Sequence, residues 1–328
     1  LKNKKILIVY NTCSQKPQQH FNWSRVLTDI INQQIPNNEI HFASSDCCSA
    51  KKNKDFLVNF LDIRAPGKYW INHIDVPCSL QISFNHTVRK ISQIEEYDYY
   101  VMWSSDVNFH DVGSLARVFD NVEENDAIIA PGWVRDLANP PHGDAHKFNN
   151  NVNRTILPVG YGFNGIFMIF SNKYVKAYDG KPFADLLVAD CGECFLTYQA
   201  AAIKQHQTIV NSVLLNEFAI PKDGPSQTSA QQENLVKTYN LPGPSGRLTT
   251  INNSRYDFKA LIEGGLQYGL GFQESDPLRW WMHNPECFDE NYFAKTDELY
   301  QYMKKSFFVD KEDFDYDANI SYFEEVTR

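Results

Sequence analysis

The chain has 328 residues, enough to bury a large core and to hold more than one domain. Its net charge of −9 has the wrong sign for a phosphate backbone, which excludes nucleic acid as a principal partner. No run reaches the roughly 18–20 apolar residues needed to cross a bilayer, so no membrane span is expected. The seven cysteines include the pairs Cys47–Cys48 and Cys191–Cys194. A zinc or redox half-site at Cys191-Gly192-Glu193-Cys194 lacks a second ligand pair at zinc spacing. The cysteines therefore read as reduced, packed thiols, in keeping with a cytoplasmic location.

In chain order, Ile6–Tyr10 is a continuous apolar run bounded by polar residues, the pattern of a central parallel strand. Phe21–Gln33 carries apolar residues at helical spacing, and Glu39–Ala43 reads as a second strand ending at Ser44-Ser45-Asp46. Strand, helix, strand in this order makes a βαβ unit. A helix is expected over Asn85–Glu95, opened by Asn85. A third strand, Asp98–Trp103, stops at Ser104-Ser105-Asp106. Val112–Asn121 reads as a helix and Ala127–Ala130 as a strand ending at Pro131-Gly132. Asn139–Asn153 is polar and Asn-rich, and its His142, Asp144 and His146 suit a lid over a bound substrate better than a metal site. Ile166–Phe170 is a strand, and a helix opens near Asp190 or Gly192. Asp223–Gly246 has the composition of a linker or loop. The acidic tail Asp310–Glu325 carries enough aromatics to pack back on the body.

In open α/β sheets ligands bind beyond the carboxyl ends of the strands. Three polar strand ends stand out here: Asn11-Thr12, Ser45-Asp46 and Ser104-Ser105-Asp106. Singly each reads as ordinary turn chemistry. Together they suit a nucleoside on the first two and phosphates on the third.

The segment from Phe84-Asn85 through Tyr97-Asp98-Tyr99-Tyr100-Val101-Met102-Trp103-Ser104-Ser105-Asp106 resembles the central motif of GT-A-fold glycosyltransferases, especially family 2. There an Asn-initiated helix precedes a strand ending in Asp-X-Asp. Ile6–Asn11 is similar to that family's first strand, Ser45-Asp46 to its second strand end, and Gly162–Phe170 with Asp190-Cys191-Gly192-Glu193 to its acceptor side. The likeness covers roughly residues 5–205. It implies a Rossmann-type mixed, mainly parallel sheet flanked by helices, with an irregular C-terminal extension. The expected division is a catalytic unit over 1–215 (nucleotide half 1–110, acceptor half 111–215) and an extension over 216–328.

The resemblance implies a donor site of Asn11, Thr12, Ser45, Asp46, Asn85, Ser104, Ser105, Asp106 and Arg279, taking a nucleotide sugar and most simply a UDP-sugar. The acceptor would be a glycan, lipid or protein hydroxyl. A divalent cation, Mn²⁺ or Mg²⁺, would neutralise charge on the diphosphate and is assigned to Asp106 and His283. Ser104 stands where the family has the first carboxylate. Glu193 is the expected base for an inverting transfer, with Asp190 its rival. Trp133, Trp280 and Trp281 are acceptor-side candidates. Two other readings remain: a sugar-nucleotide nucleotidyltransferase, which lacks its glycine-rich loop in Asn11–Gln18, and a non-catalytic carbohydrate- or nucleotide-binding protein.

Overall fold

The structure is a computed structural model that describes residues 3–12, 20–47, 51–64, 68–74, 80–109, 111–135, 153–157, 166–184, 196–217, 300, 301, 304 and 320–326. The chain opens with β1 (Lys5–Thr12), whose residues from Ile6 onward are all buried. Burial on both faces is why its sequence is apolar without alternation. Helix α1 (His20–Asn32) follows and buries Trp23, Val26, Leu27 and Ile30 at three- and four-residue steps. Strand β2 (Glu39–Cys47) lies parallel to β1 in register from Lys5↔Glu39 to Thr12↔Asp46.

Helix α2 (Lys51–Arg64) and strand β3 (Tyr69–Ile74) complete a second βαβ step that the sequence pattern did not disclose. The buried stripe of α2 is only Asn53, Leu57 and Leu61, too narrow to announce itself among three lysines and two aspartates over Lys51–Arg64. Helix α3 (Leu80–Ser92) begins five residues before the expected Asn85 start. Asn85 therefore lies inside the helix rather than at its cap. Strand β4 (Tyr99–Ser104) is fully buried and runs parallel to β1 on the side opposite β2.

A two-residue turn at Ser105-Asp106 leads into β5 (Val107–Phe109), then α4 (Ser114–Asp120) and β6 (Asp126–Arg135). Strand β6 runs through Pro131-Gly132 rather than ending there, because the register shift between them places the proline at a bulge. Then come β7 (Arg154–Ile156), β8 (Phe167–Ser171), α5 (Asn172–Ala177) capped by the Ser171 hydroxyl, α6 (Leu196–Ala202) and β9 (His206–Glu217). The acidic tail does return to the body: β10 (Ile320–Val326) pairs antiparallel with β3.

The sheet has ten strands in the order β10-β3-β2-β1-β4-β8-β6-β9-β5, with β7 on β9. Strands β3, β2, β1 and β4 are parallel, β8 is antiparallel to both neighbours, and β6 and β9 are parallel to each other. The sheet is open and mainly parallel in its nucleotide half, as expected. Helix α3 covers one face of β1 and β2. On the other face Ile6, Ile8, Tyr10, Val101 and Trp103 pack with the apolar side of α1 and with Leu57 and Leu61 of α2.

Candidate functional site

The chain builds β1, β2 and β3 outward in one direction, then crosses back to place β4 on the free side of β1. The direction of winding thus reverses between β1 and β4. In open α/β sheets such a switch point is where ligands bind, beyond the carboxyl ends of the strands. Asn11 and Ser104 are register partners across that point, and Asn11 also pairs with Ser45 on β2. The sequence-derived donor residues Asn11, Thr12, Ser45, Asp46, Ser104, Ser105 and Asp106 therefore meet along one edge.

One position further along, Thr12, Asp46 and His73 are lateral neighbours on three parallel strands. Their side chains bond in a row: Thr12 Oγ1 donates to Asp46 Oδ1 at 2.7 Å, and His73 Nδ1 lies 2.5 Å from Asp46 Oδ2. A carboxylate only accepts, so Nδ1 carries the histidine proton. Asp46 is 1% exposed, so these two bonds offset its desolvation. His73 escaped the sequence reading because nothing marked β3 as a strand of the site. A polar pair inside the run Trp70-Ile71-Asn72-His73-Ile74 was the available signal. The adjacent level is also polar. Ser45 Oγ donates to Ser83 Oγ at 3.1 Å, and Asn72 Nδ2 donates to Thr87 Oγ1 at 2.6 Å.

Asp106 sits in the turn that follows β4 and is half-buried, as is Ser105. Flanking side chains fix this turn. The Trp103 indole donates to the Val107 carbonyl at 3.0 Å, and the Phe109 amide donates to Asp29 Oδ2 at 2.7 Å. Burial raises the pKa of Asp29, and the hydrogen bonds from Phe109 and Gln33 oppose that rise. Among the described residues, four buried polar atoms at the ends of β2, β1 and β4 are without a hydrogen-bond partner: Ser44 Oγ, Tyr10 Oη, Asn11 Oδ1 and Ser104 Oγ. Leaving such an atom unsatisfied costs about 1–3 kcal/mol, and native structures hold few of them.

Among the described residues no three His, Cys, Asp or Glu side chains are grouped to hold a metal ion. At the strand ends the chain offers the Asp106 carboxylate with the unpartnered Ser104 hydroxyl two residues before it, while both oxygens of Asp46 are engaged. That donor set suits a hard cation of the Mg²⁺ or Mn²⁺ kind, which takes oxygen ligands and completes its shell with water and phosphate oxygens.

Asn85 stands apart from this edge. Its Nδ2 donates to the Phe183 carbonyl at 2.8 Å and its Oδ1 accepts from the Phe183 amide at 2.9 Å. The amide clasps a segment 98 residues away and holds it against α3, a role that a helix-opening asparagine would not have had. Trp133 lies on β6 with its backbone opposite Leu215. Asp190, Glu193, Arg279, Trp280, Trp281 and His283 lie outside the described residues, as do Cys191, Cys194 and the proposed lid residues His142, Asp144 and His146.

No family model and no curated protein matches the chain. Solved structures do. A mannosyltransferase from Pyrobaculum calidifontis, solved with GDP-Man and Mn²⁺, superposes at a TM-score of 0.48 and 12% identity over 93% of this chain and 88% of its own. TarS of S. aureus superposes at 0.47 and 12% identity over 90% of this chain and 55% of its own. GalNAc-T7, solved with UDP, GalNAc and Mn²⁺, superposes at 0.51 and 10% identity over 93% of this chain and 58% of its own. The chain thus spans little more than half the length of the last two. The fold assignment rests on GalNAc-T7, the one superposition of the three above one half. With its open, mainly parallel sheet and its switch point between β1 and β4, the chain has the GT-A-like fold of the glycosyltransferases.

Proposed function

We propose that the chain is a glycosyltransferase that moves a sugar from a nucleotide-sugar donor, most simply a UDP-sugar, to a hydroxyl of a glycan, lipid or protein. One observation carries this reading. A half-exposed carboxylate, Asp106, follows the strand at the topological switch point, beside buried polar atoms of Asn11 and Ser104 that lack partners. A ligand rich in donors and acceptors would satisfy them. The neighbour solved with UDP, GalNAc and Mn²⁺ agrees with a nucleotide-linked donor.

In this reading Thr12, Ser45 and Asp46 form the nucleoside side, and Ser104, Ser105 and Asp106 face the diphosphate. A divalent cation at Asp106 would neutralise charge on the leaving diphosphate. Arg279 pairs with phosphate, His283 assists at the cation, and Trp133, Trp280 and Trp281 line the acceptor side. Glu193, or Asp190 beside it, takes the acceptor proton in an inverting transfer. Asn85 enters as a packing residue through its bonds to Phe183. Residues 1–215 form the catalytic unit, and the extension over 216–328 ends in the strand that joins β3.

The test is nucleotide release from a panel of UDP- and GDP-sugars, with and without Mn²⁺. Asp106→Ala is expected to lower turnover about 100-fold or more, the scale of losing one electrostatic stabiliser, with an unchanged unfolding midpoint. A wild-type chain that neither binds nor hydrolyses any donor would overturn the proposal. Tight binding without turnover would favour the second reading, a carbohydrate- or nucleotide-binding protein on a transferase fold, to which Ser104 in place of a carboxylate lends weight.

A further inference from the structure

Tyr10 has no place in the donor site inferred from the sequence. Its ring is 2% exposed and packs edge-on against Trp23 at a centroid distance of 6.5 Å, so the hydroxyl is fixed by the core rather than free to swing. On β1 it is the last residue of the apolar run, directly before Asn11, and its register partners are Ser44 on β2 and Trp103 on β4. It shares a sheet face with Ile6 and Ile8 of the α1-side core. Among the described residues its hydroxyl and that of the neighbouring Ser44 both lack a hydrogen-bond partner.

A phenylalanine would fill the same core space without the cost of an unsatisfied hydroxyl. Core packing therefore explains the ring and leaves the hydroxyl unexplained. Its surroundings suggest what it meets. Burial first, then the carboxylates of Asp106 and Asp46, hold the Tyr10 pKa well above its usual value. The hydroxyl is therefore neutral, a donor within electrostatic reach of an anion on each side. Tyr10 stands two residues before Thr12, the last residue of β1, and the half-exposed Asp106 follows the neighbouring strand β4. A bare phosphate is disfavoured between two carboxylates. A neutral hydroxyl fits, because it can accept from Tyr10 and donate to a carboxylate.

We propose that Tyr10 is a ligand-binding residue whose hydroxyl donates to a sugar hydroxyl of the bound nucleotide, at the point where β1 passes between Asp46 on β2 and Asp106 after β4. This rests on the nucleotide-sugar reading and deepens it by assigning ribose recognition to a residue of β1. A water on a bound cation has the same donor–acceptor chemistry, and the experiment separates the two.

The experiment is calorimetric titration of wild type and Tyr10→Phe with UDP, GDP and their 2′-deoxy and 3′-deoxy counterparts, with and without Mn²⁺, and with Mn²⁺ alone. Thermal unfolding of the ligand-free proteins runs alongside. The expected result is a loss of about five- to tenfold in ribonucleotide affinity in Tyr10→Phe, the scale of one hydrogen bond. One deoxy counterpart should bind both proteins equally, and the unfolding midpoint should be unchanged or higher. Three outcomes overturn the assignment: equal ribonucleotide affinity in both proteins, an equal loss for every deoxy form, or a loss confined to Mn²⁺ alone, which would give the contact to cation-bound water. A lower unfolding midpoint with unchanged affinity makes the hydroxyl structural and overturns it too. If wild type binds no nucleotide, the donor reading itself fails, and the ribose contact with it.

Discussion

Glu95 offers a sharp test of the electrostatics at the opposite, amino-terminal edge of the sheet. Its carboxylate accepts from Lys5 Nζ, from Lys68 Nζ at 2.7 Å and from the Tyr97 hydroxyl at 3.1 Å. Lys68 in turn reaches Glu325 of β10 at 2.5 Å and lies 4.6 Å over the Trp70 ring. Burial alone would raise the Glu95 pKa, but the hydrogen bonds from Lys5, Lys68 and Tyr97 outweigh it and hold the pKa at about 2, against 4.5 for a free glutamate. At 1.36 kcal/mol per unit this sets a ceiling of about 3 kcal/mol. The group keeps some contact with water, and screening brings the expected value to about 1–2 kcal/mol.

The folded-state pKa is depressed, so this stability is fully present above pH 4.5 and is lost as the pH falls towards 2. The perturbation is Glu95→Gln, which keeps the shape and removes the charge. Urea unfolding from pH 7 to pH 2 should show the variant weaker by about 1–2 kcal/mol at neutral pH. The gap should close as the pH approaches 2. Amide exchange in β10 should quicken in the variant, because Lys68 loses one of the two carboxylates it joins. A gap that stays constant across the whole pH range would refute the reasoning, since a charge-independent packing defect would then account for it.

Two further substitutions probe the interior. Asn85→Ala strips both partners from the Phe183 backbone and leaves a small void, and should cost about 2–4 kcal/mol in chemical denaturation. Equal stability would mean that water replaces both bonds. His73→Leu leaves the buried Asp46 carboxylate with Thr12 as its side-chain donor among the described residues and should cost about 3 kcal/mol, with His73→Asn recovering part of it by restoring an N–H near Nδ1. If leucine and asparagine behave alike, the His73–Asp46 bond is not what holds that strand end.

Much of the nucleotide half was legible in the amino-acid sequence. Strands β1 and β4 are buried on both faces, so unbroken apolar runs reveal them. Helix α1 has a broad apolar stripe, and the polar residues that end each strand mark the edge where a ligand binds. Strand ends at Asn11, Asp46 and Ser104 could be predicted to converge, because parallel strands carry their carboxyl ends to one side. What remained hidden had local causes. Helix α2 buries a stripe of three residues, and β10 is an edge strand more than 240 residues from its partner β3, a pairing no local pattern encodes. The start of α3 was misplaced because Asn85 resembles a cap, whereas its amide is spent on a backbone 98 residues away.

The site divides in the same way. Sequence alone determined which residues could carry the chemistry, since residue type and strand-end position are local properties. The tertiary structure alone decided which of them touch. In-register parallel pairing set Thr12, Asp46 and His73 in a row, turned both oxygens of Asp46 inward, and left Tyr10, Asn11 and Ser104 with polar atoms unanswered. Hydrogen-bond satisfaction is a property of the assembled neighbourhood, and so only the folded chain could show where a ligand is needed.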